Sequence, residues 1–282
     1  MIPPWVDRRE YPFEPRGLDV AGARLSYVDE GRGSPIVMVH GTPTWSFLYR
    51  HLIRELSPRY RCVAPDHLGF GLSDRPAGWS YRPEDQAGNL ARLIETLGLK
   101  DITLVVHDYG GPIGLAYALD HPENVRRLVL FNTWMWSFAG DRRVAWAARA
   151  LGGRLGRYLY EQRGFAVRVM LRRAVADRRR YSPEVERHYL LPLDGHATWI
   201  YARELLGSSA WYDRLWARRD RIARMPTILI WGMKDPAFAR YLQRWQGVFE
   251  QAEVVQLADC GHAPPEERAP ESLPFLIRFL ER

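Results

Sequence analysis

Only two lysines, Lys100 and Lys234, and only two cysteines, Cys62 and Cys260, occur in 282 residues. Two cysteines cannot build a disulfide framework, so nothing ties the chain to an oxidising compartment. No run of 18 or more apolar residues is present, which excludes a transmembrane helix. The segment MIPPWVDRREYPF puts prolines and charges where a secretory signal needs an apolar stretch. These absences predict a soluble, cytoplasmic protein with no membrane partner. The rest of the composition suits that reading. At 46% hydrophobic and 26% charged it has the proportions of an ordinary globular protein, and the length allows one large α/β domain carrying an insertion.

With lysine so scarce, the net charge of +7 is almost wholly arginine. It is also local, since residues 135–219 hold 17 Arg against 8 Asp+Glu. The run Arg178-Arg179-Arg180 has the charge to touch phosphates, but no nucleic-acid motif accompanies it. A solvated face accounts for it, and no nucleic-acid partner is expected.

Short apolar runs alternate with longer amphipathic stretches. Strands are predicted at 35–40 (PIVMVH), 62–65, 103–107 (TLVVH), 128–132, 227–231 (TILIW) and 254–257. Helices are predicted at 45–56, 83–97, 113–119, 239–249 and from 267 onward. Such alternation implies βαβ units and a parallel sheet. From residue 133 to about 219 the chain turns arginine- and aromatic-rich, reads as helical and lacks a convincing strand. The predicted organisation is therefore an α/β core of residues 1–133 and 220–282, interrupted by a helical lid of residues 134–219. An insertion of this kind emerges at the carboxyl ends of the strands, where parallel sheets bind ligands.

Four pieces of chemistry fall at those strand ends. In VVHDYGG a strand stops at Asp108 and glycines follow at once, the layout of a sharp strand-to-helix turn that exposes a nucleophile. The bland reading is that Asp108 caps the next helix. In VHGTP, after an earlier strand, the amide of Thr42 is placed to form an oxyanion hole together with the amide of Tyr109. In CGHAPPEE, after the last strand, His262 sits on a Gly/Pro-rich loop, where a base would come in the chain order nucleophile, acid, histidine. The acid is Asp235 in WGMKDP, because FNTW at the other usual position offers only Asn132. Its bland alternative is a helix cap ahead of Pro236.

An aspartate in place of the usual serine changes the reaction. A serine must first lose a proton, whereas a carboxylate is already an anion at pH 7. It can displace a leaving group from an sp³ carbon without a base and form an alkyl ester. His262 then activates water, which attacks the ester carbonyl, while Asp235 orients the imidazole. No metal or cofactor is called for. The aromatic supply of the lid suits a small apolar organic substrate.

The stretches IPPWVDRREYPF, HGTPTWSFLYR, PDHLGFGLSDRP, VVHDYGGPIGLAYALDHPENVRRLVLFN, WGMKDPAF and GHAPPEE together resemble the haloalkane dehalogenase family of α/β-hydrolases. The likeness spans nearly the whole chain outside the insertion. It implies a mostly parallel sheet flanked by helices, with a cap after the sixth strand, and it implies Asp108 as nucleophile, His262 as base and Asp235 as acid. Two positions depart from the family. Its members follow the nucleophile with a tryptophan whose indole N–H holds the departing halide, and here the residue is Tyr109. Their second donor is an asparagine at the position of Thr42, or a tryptophan of the cap. Tyr109 and Thr42 are thus the expected halide contacts, with Trp134, Trp136 and Trp146 near or in the cap. An epoxide hydrolase would use the same triad and add two cap tyrosines as acids, drawn from Tyr158, Tyr160, Tyr181, Tyr189, Tyr201 and Tyr212. A binding or signalling protein with a weakened site is the third reading, kept open by Tyr109. The oligomeric state stays open.

Overall fold

The computed structural model describes residues 2–20 and 22–282. An antiparallel pair, β1 (Arg16–Val20) and β2 (Ala23–Glu30), leads into β3 (Pro35–Val39), β4 (Arg61–Pro65), β5 (Ile102–Asp108), β6 (Val125–Thr133), β7 (Thr227–Gly232) and β8 (Glu253–Leu257). They form one sheet in the order β1-β2-β4-β3-β5-β6-β7-β8. From β4 onward along that order every neighbouring pair is parallel, and β2 joins β4 antiparallel.

Helices cover both faces of the sheet, which is why the parallel strands are apolar at successive positions. In β3, Val37 and Val39 enter one core while Ile36 and Met38 enter the other. The same split separates Leu128 and Leu130 from Val129 and Phe131 in β6, and Leu229 and Trp231 from Ile228 and Ile230 in β7.

Helices α1 (Arg50–Leu56), α2 (Pro83–Thr96) and α3 (Gly110–Asp120) connect the first strands. α2 starts on Pro83 with Glu84 and Asp85 in its first turn, where a fixed φ and negative charge both favour a helix start. Between β6 and β7 every regular element is helical. The chain makes α4 (Arg142–Gly152), α5 (Arg154–Arg163), a wide π turn at Ala166–Leu171 running into α6 (Arg172–Ala174), α7 (Pro183–Leu190), α8 (Gly195–Gly207) and α9 (Ser209–Ala217). The side chains of Asp141, Ser182 and Asp194 cap α4, α7 and α8. The chain closes with α10 (Leu242–Gln246), α11 (Pro264–Glu267) and α12 (Ala269–Leu280). Among the described residues no helix is long and apolar enough to cross a membrane.

Candidate active site

β5 ends in Asp108 at a φ of +51°, a left-handed conformation that a non-glycine residue holds only under constraint. Two glycines let the neighbouring chain segments close in. A Cβ on Gly110 would collide with the Val39 carbonyl, and one on Gly41 with the Asp108 carboxylate and the Tyr109 amide. On the other side Thr133 donates its hydroxyl to the Asp108 carbonyl at 2.5 Å. The turn therefore fixes the carboxylate from both flanking strands. Asp108 Oδ1 accepts from the Thr42 amide at 2.8 Å, and Oδ2 lies 3.5 Å from His262 Nε2.

His262 Nδ1 meets Asp235 Oδ2 at 2.9 Å. Asp235 in turn accepts from the Ala237 amide and from Asn132 Nδ2, both at 2.8 Å. Asn132 reaches it because the β5–β6 ladder skips a residue: His107 pairs with Phe131 but Asp108 pairs with Thr133. The extruded asparagine turns toward β7, where it also bonds both polar groups of the Gly232 backbone. The residue that lacks a carboxylate at the alternative acid position thus braces the acid that is present.

The charges follow from these contacts. Burial opposes a proton on His262, but the carboxylates of Asp235 and Asp108 outweigh it and lift the imidazole to about 10. Burial likewise opposes charge on Asp235, yet His262 and the bonded donors hold it below the usual carboxylate value. Burial and the neighbouring His262 push His107 down to about 4, so it stays neutral. Its Nδ1 has no partner and its Nε2 lies 2.8 Å from the His262 carbonyl, which makes Nε2–H the donor.

Asp108 and His262 lie at the floor of a cavity of about 360 Å³, with Asp235 bonded behind His262. Its walls are largely apolar and include Leu151, Ala166, Met170, Leu171, Ala202 and Phe238. Tyr109 lines it, but its hydroxyl is already committed, donating to the Tyr201 carbonyl at 2.5 Å. Two other wall residues carry buried polar atoms with no partner: Thr42 Oγ1 and Trp134 Nε1. Trp134 stacks on Phe238 and meets Tyr109 edge-on. Trp136 is buried among other aromatics, and Trp146 is 74% exposed. Of the six tyrosines between α4 and α9 only Tyr160 lines the cavity, and it donates to Met170 Sδ.

Reading the residues alone missed Glu267. It is fully buried, and its carboxylate accepts from the amides of Ala176 and Gly261, among others. Nothing in GHAPPEE distinguishes such a glutamate from one in an exposed first turn, because its partners lie in part some 90 residues away.

A family model described as the α/β-hydrolase fold matches residues 34–269. The chain is 36% identical to haloalkane dehalogenase 2 of Mycobacterium tuberculosis, over 96% of each. It is 34% identical to a cis-3-alkyl-4-alkyloxetan-2-one decarboxylase of Shewanella oneidensis, over 95% of this chain and 89% of that one. The crystal structure of haloalkane dehalogenase DbeA from Bradyrhizobium elkani superimposes with a TM-score of 0.83 at 26% identity, covering 95% of this chain and 99% of the other.

Proposed function

Because this chain belongs to the haloalkane dehalogenase family of α/β-hydrolases and is a hydrolytic enzyme, we propose that it cleaves the carbon–halogen bond of a small alkyl halide through an ester on Asp108. The observation that carries this reading is the Asp108 carboxylate at the floor of an apolar cavity, with His262 3.5 Å away and Asp235 bonded behind it. Asp108 attacks the halogen-bearing carbon from the rear, the C–O bond forms and the halide leaves with the bonding pair. His262 then takes a proton from water, and the hydroxide adds to the ester carbonyl. The resulting oxyanion is held by the amides of Thr42 and Tyr109. Its collapse releases the alcohol, and the proton leaves through His262.

The departing halide needs donors, since an anion in an apolar pocket is costly without them. Thr42 and Trp134 supply them: they follow β3 and β6, the strands on either side of the nucleophile's β5, and their side-chain donors are buried and unpartnered. Tyr109 serves as a wall. Residues 134–219 act as the cap, and the two buried free cysteines suit the reducing cytoplasm.

The test is halide release from bromo- and chloroalkanes. Asp108→Ala should abolish it, and His262→Ala should release one halide per active site while a protein of substrate-alkyl mass accumulates. Unchanged turnover in Asp108→Ala refutes the reading.

A second reading is opening of a β-lactone, the substrate class for which the Shewanella relative is named. The small wall residues Ala147, Ala148, Ala166, Ala174 and Ala202 leave room for two alkyl arms around Asp108. Attack at the ring's sp³ carbon breaks its C–O bond and frees a tethered carboxylate. Loss of CO₂ then expels Asp108 and leaves an alkene, with no water consumed. The same His262→Ala variant separates the two, because it stalls ester hydrolysis and leaves decarboxylation running. Epoxide hydrolysis fits less well, since no pair of cap tyrosines converges on the cavity.

A further inference from the structure

We infer that Glu267 is a positioning residue: it sets His262 for ester hydrolysis by tying the base's loop to the segment that walls the substrate cavity. This rests on the proposal that His262 is the base of the second step. The carboxylate of Glu267 is wholly buried, and no arginine or lysine side chain bonds it. It receives four backbone amides instead. Oε2 accepts from Gly261 at 3.1 Å, Ala176 at 2.7 Å and Asp177 at 3.0 Å, while Oε1 accepts from Ala263 at 3.1 Å.

Two of these donors, Gly261 and Ala263, flank His262 in the chain, so the carboxylate grips the base's loop on both sides. The other two, Ala176 and Asp177, follow directly on the π turn and α6, whose Ala166, Met170, Leu171 and Ala174 form cavity wall. The His262 amide completes the link by donating to the Ala174 carbonyl at 2.9 Å. One buried carboxylate therefore joins the substrate wall and the base through four backbone amides. Amides aimed at an ionised carboxylate make bonds roughly twice as strong as neutral ones. Glutamine in its place would turn an NH₂ toward some of the same N–H groups and break the cluster on one side.

The step Glu267 governs is the one that needs His262. Displacement of halide by Asp108 proceeds without a base, so the two steps separate the roles. In Glu267→Gln the expected burst of halide matches wild type within about twofold, while decay of the alkyl-enzyme slows at least tenfold and the alkylated mass accumulates. A residue that only stabilised the fold would lower both steps together or neither. Equal slowing of both, or wild-type decay, overturns the proposal.

His262→Ala run in parallel guards the premise, because it must itself trap the ester. If it does not, the base assignment has failed and not the tether. A readout free of turnover is the Nδ1–H proton of His262, bonded to Asp235, in the NMR spectrum at low field. Glu267→Gln should broaden or lose that signal while the remaining spectrum keeps wild-type dispersion. An unshifted, equally sharp signal overturns the proposal as well. Should Glu267→Gln fail to fold, Glu267→Asp serves, since its shorter side chain keeps the charge and cannot span both pairs of amides.

Discussion

In the proposed mechanism Asp108 loses its charge once it carries an alkyl group, and His262 then faces one carboxylate, Asp235, instead of two. Burial then weighs more heavily against the imidazolium, and the value of about 10 in the resting protein must fall. An imidazole protonated at neutral pH before the reaction becomes a base because the first step has occurred. The sign follows directly. Hydrolysis needs neutral His262, so decay of the alkyl-enzyme should rise with pH and level off above the lowered value. Single-turnover decay measured across pH checks this, and a rate that falls with rising pH would contradict it. The proposed halide donors can be tested at the same scale. Trp134→Phe keeps the stacked ring and removes one N–H, and a hydrogen bond to a charged group contributes about 1.5–3 kcal/mol. The expected loss is about tenfold to a hundredfold in halide release, larger for chloride than for iodide. Equal rates with both leaving groups would return the role to Tyr109.

Short elements carry more of this site than long ones. α11 spans only Pro264–Glu267, yet its last two residues face opposite tasks. Glu266 takes a two-pronged bond from Arg50 of α1, at 2.6 and 2.7 Å, and a third from the Tyr189 hydroxyl of α7. Arg50 also lies over the Phe47 ring, 3.9 Å from its centre. All of this is buried, so removing one partner strands the other's charge. Arg50→Met should cost about 3–5 kcal/mol, read as a lower unfolding midpoint. Pairing it with Glu266→Gln should restore much of that loss. A single variant as stable as wild type would show that solvent reaches the pair. The β6 bulge is the other small device: one extra residue turns Asn132 from the ladder onto Asp235.

For the molecule as a whole, the sequence made β3 to β7 readable because both faces of those strands are covered, leaving apolar runs, while the edge strand β8 showed through Val254 and Val255 alone. β1 and β2 were not readable. β2 buries Ser26 and Asp29, and their partners are distant in the chain, the Ser26 amide donating to Ser73 Oγ and Arg61 pairing with Asp29. The positions of Asp108, His262 and Asp235 were legible for a related reason, since each lies where a strand ends in a glycine- or proline-rich turn. Glu267 was not, and Trp134 could be named but not chosen over Trp136 and Trp146, because bonds to distant backbone amides and ring orientations are encoded in no local pattern. The arginine excess reads simply, with Arg178, Arg179 and Arg180 all exposed in the turn before α7.

The bond from Tyr109 to the Tyr201 carbonyl also limits how material enters and leaves. Tyr201 belongs to α8, so raising that helix would leave a buried phenol and a buried carbonyl without partners, about 1–3 kcal/mol for each group. The aromatic contact between the two rings would be lost with it. Met170, by contrast, is both cavity wall and 42% exposed, and α4 beside it touches the cavity through Val144, Ala147, Ala148 and Leu151. Opening the side wall at Met170 would give up only the weak bond its sulfur accepts from Tyr160, so a doorway there costs less than lifting a roof bolted to the Asp108 turn.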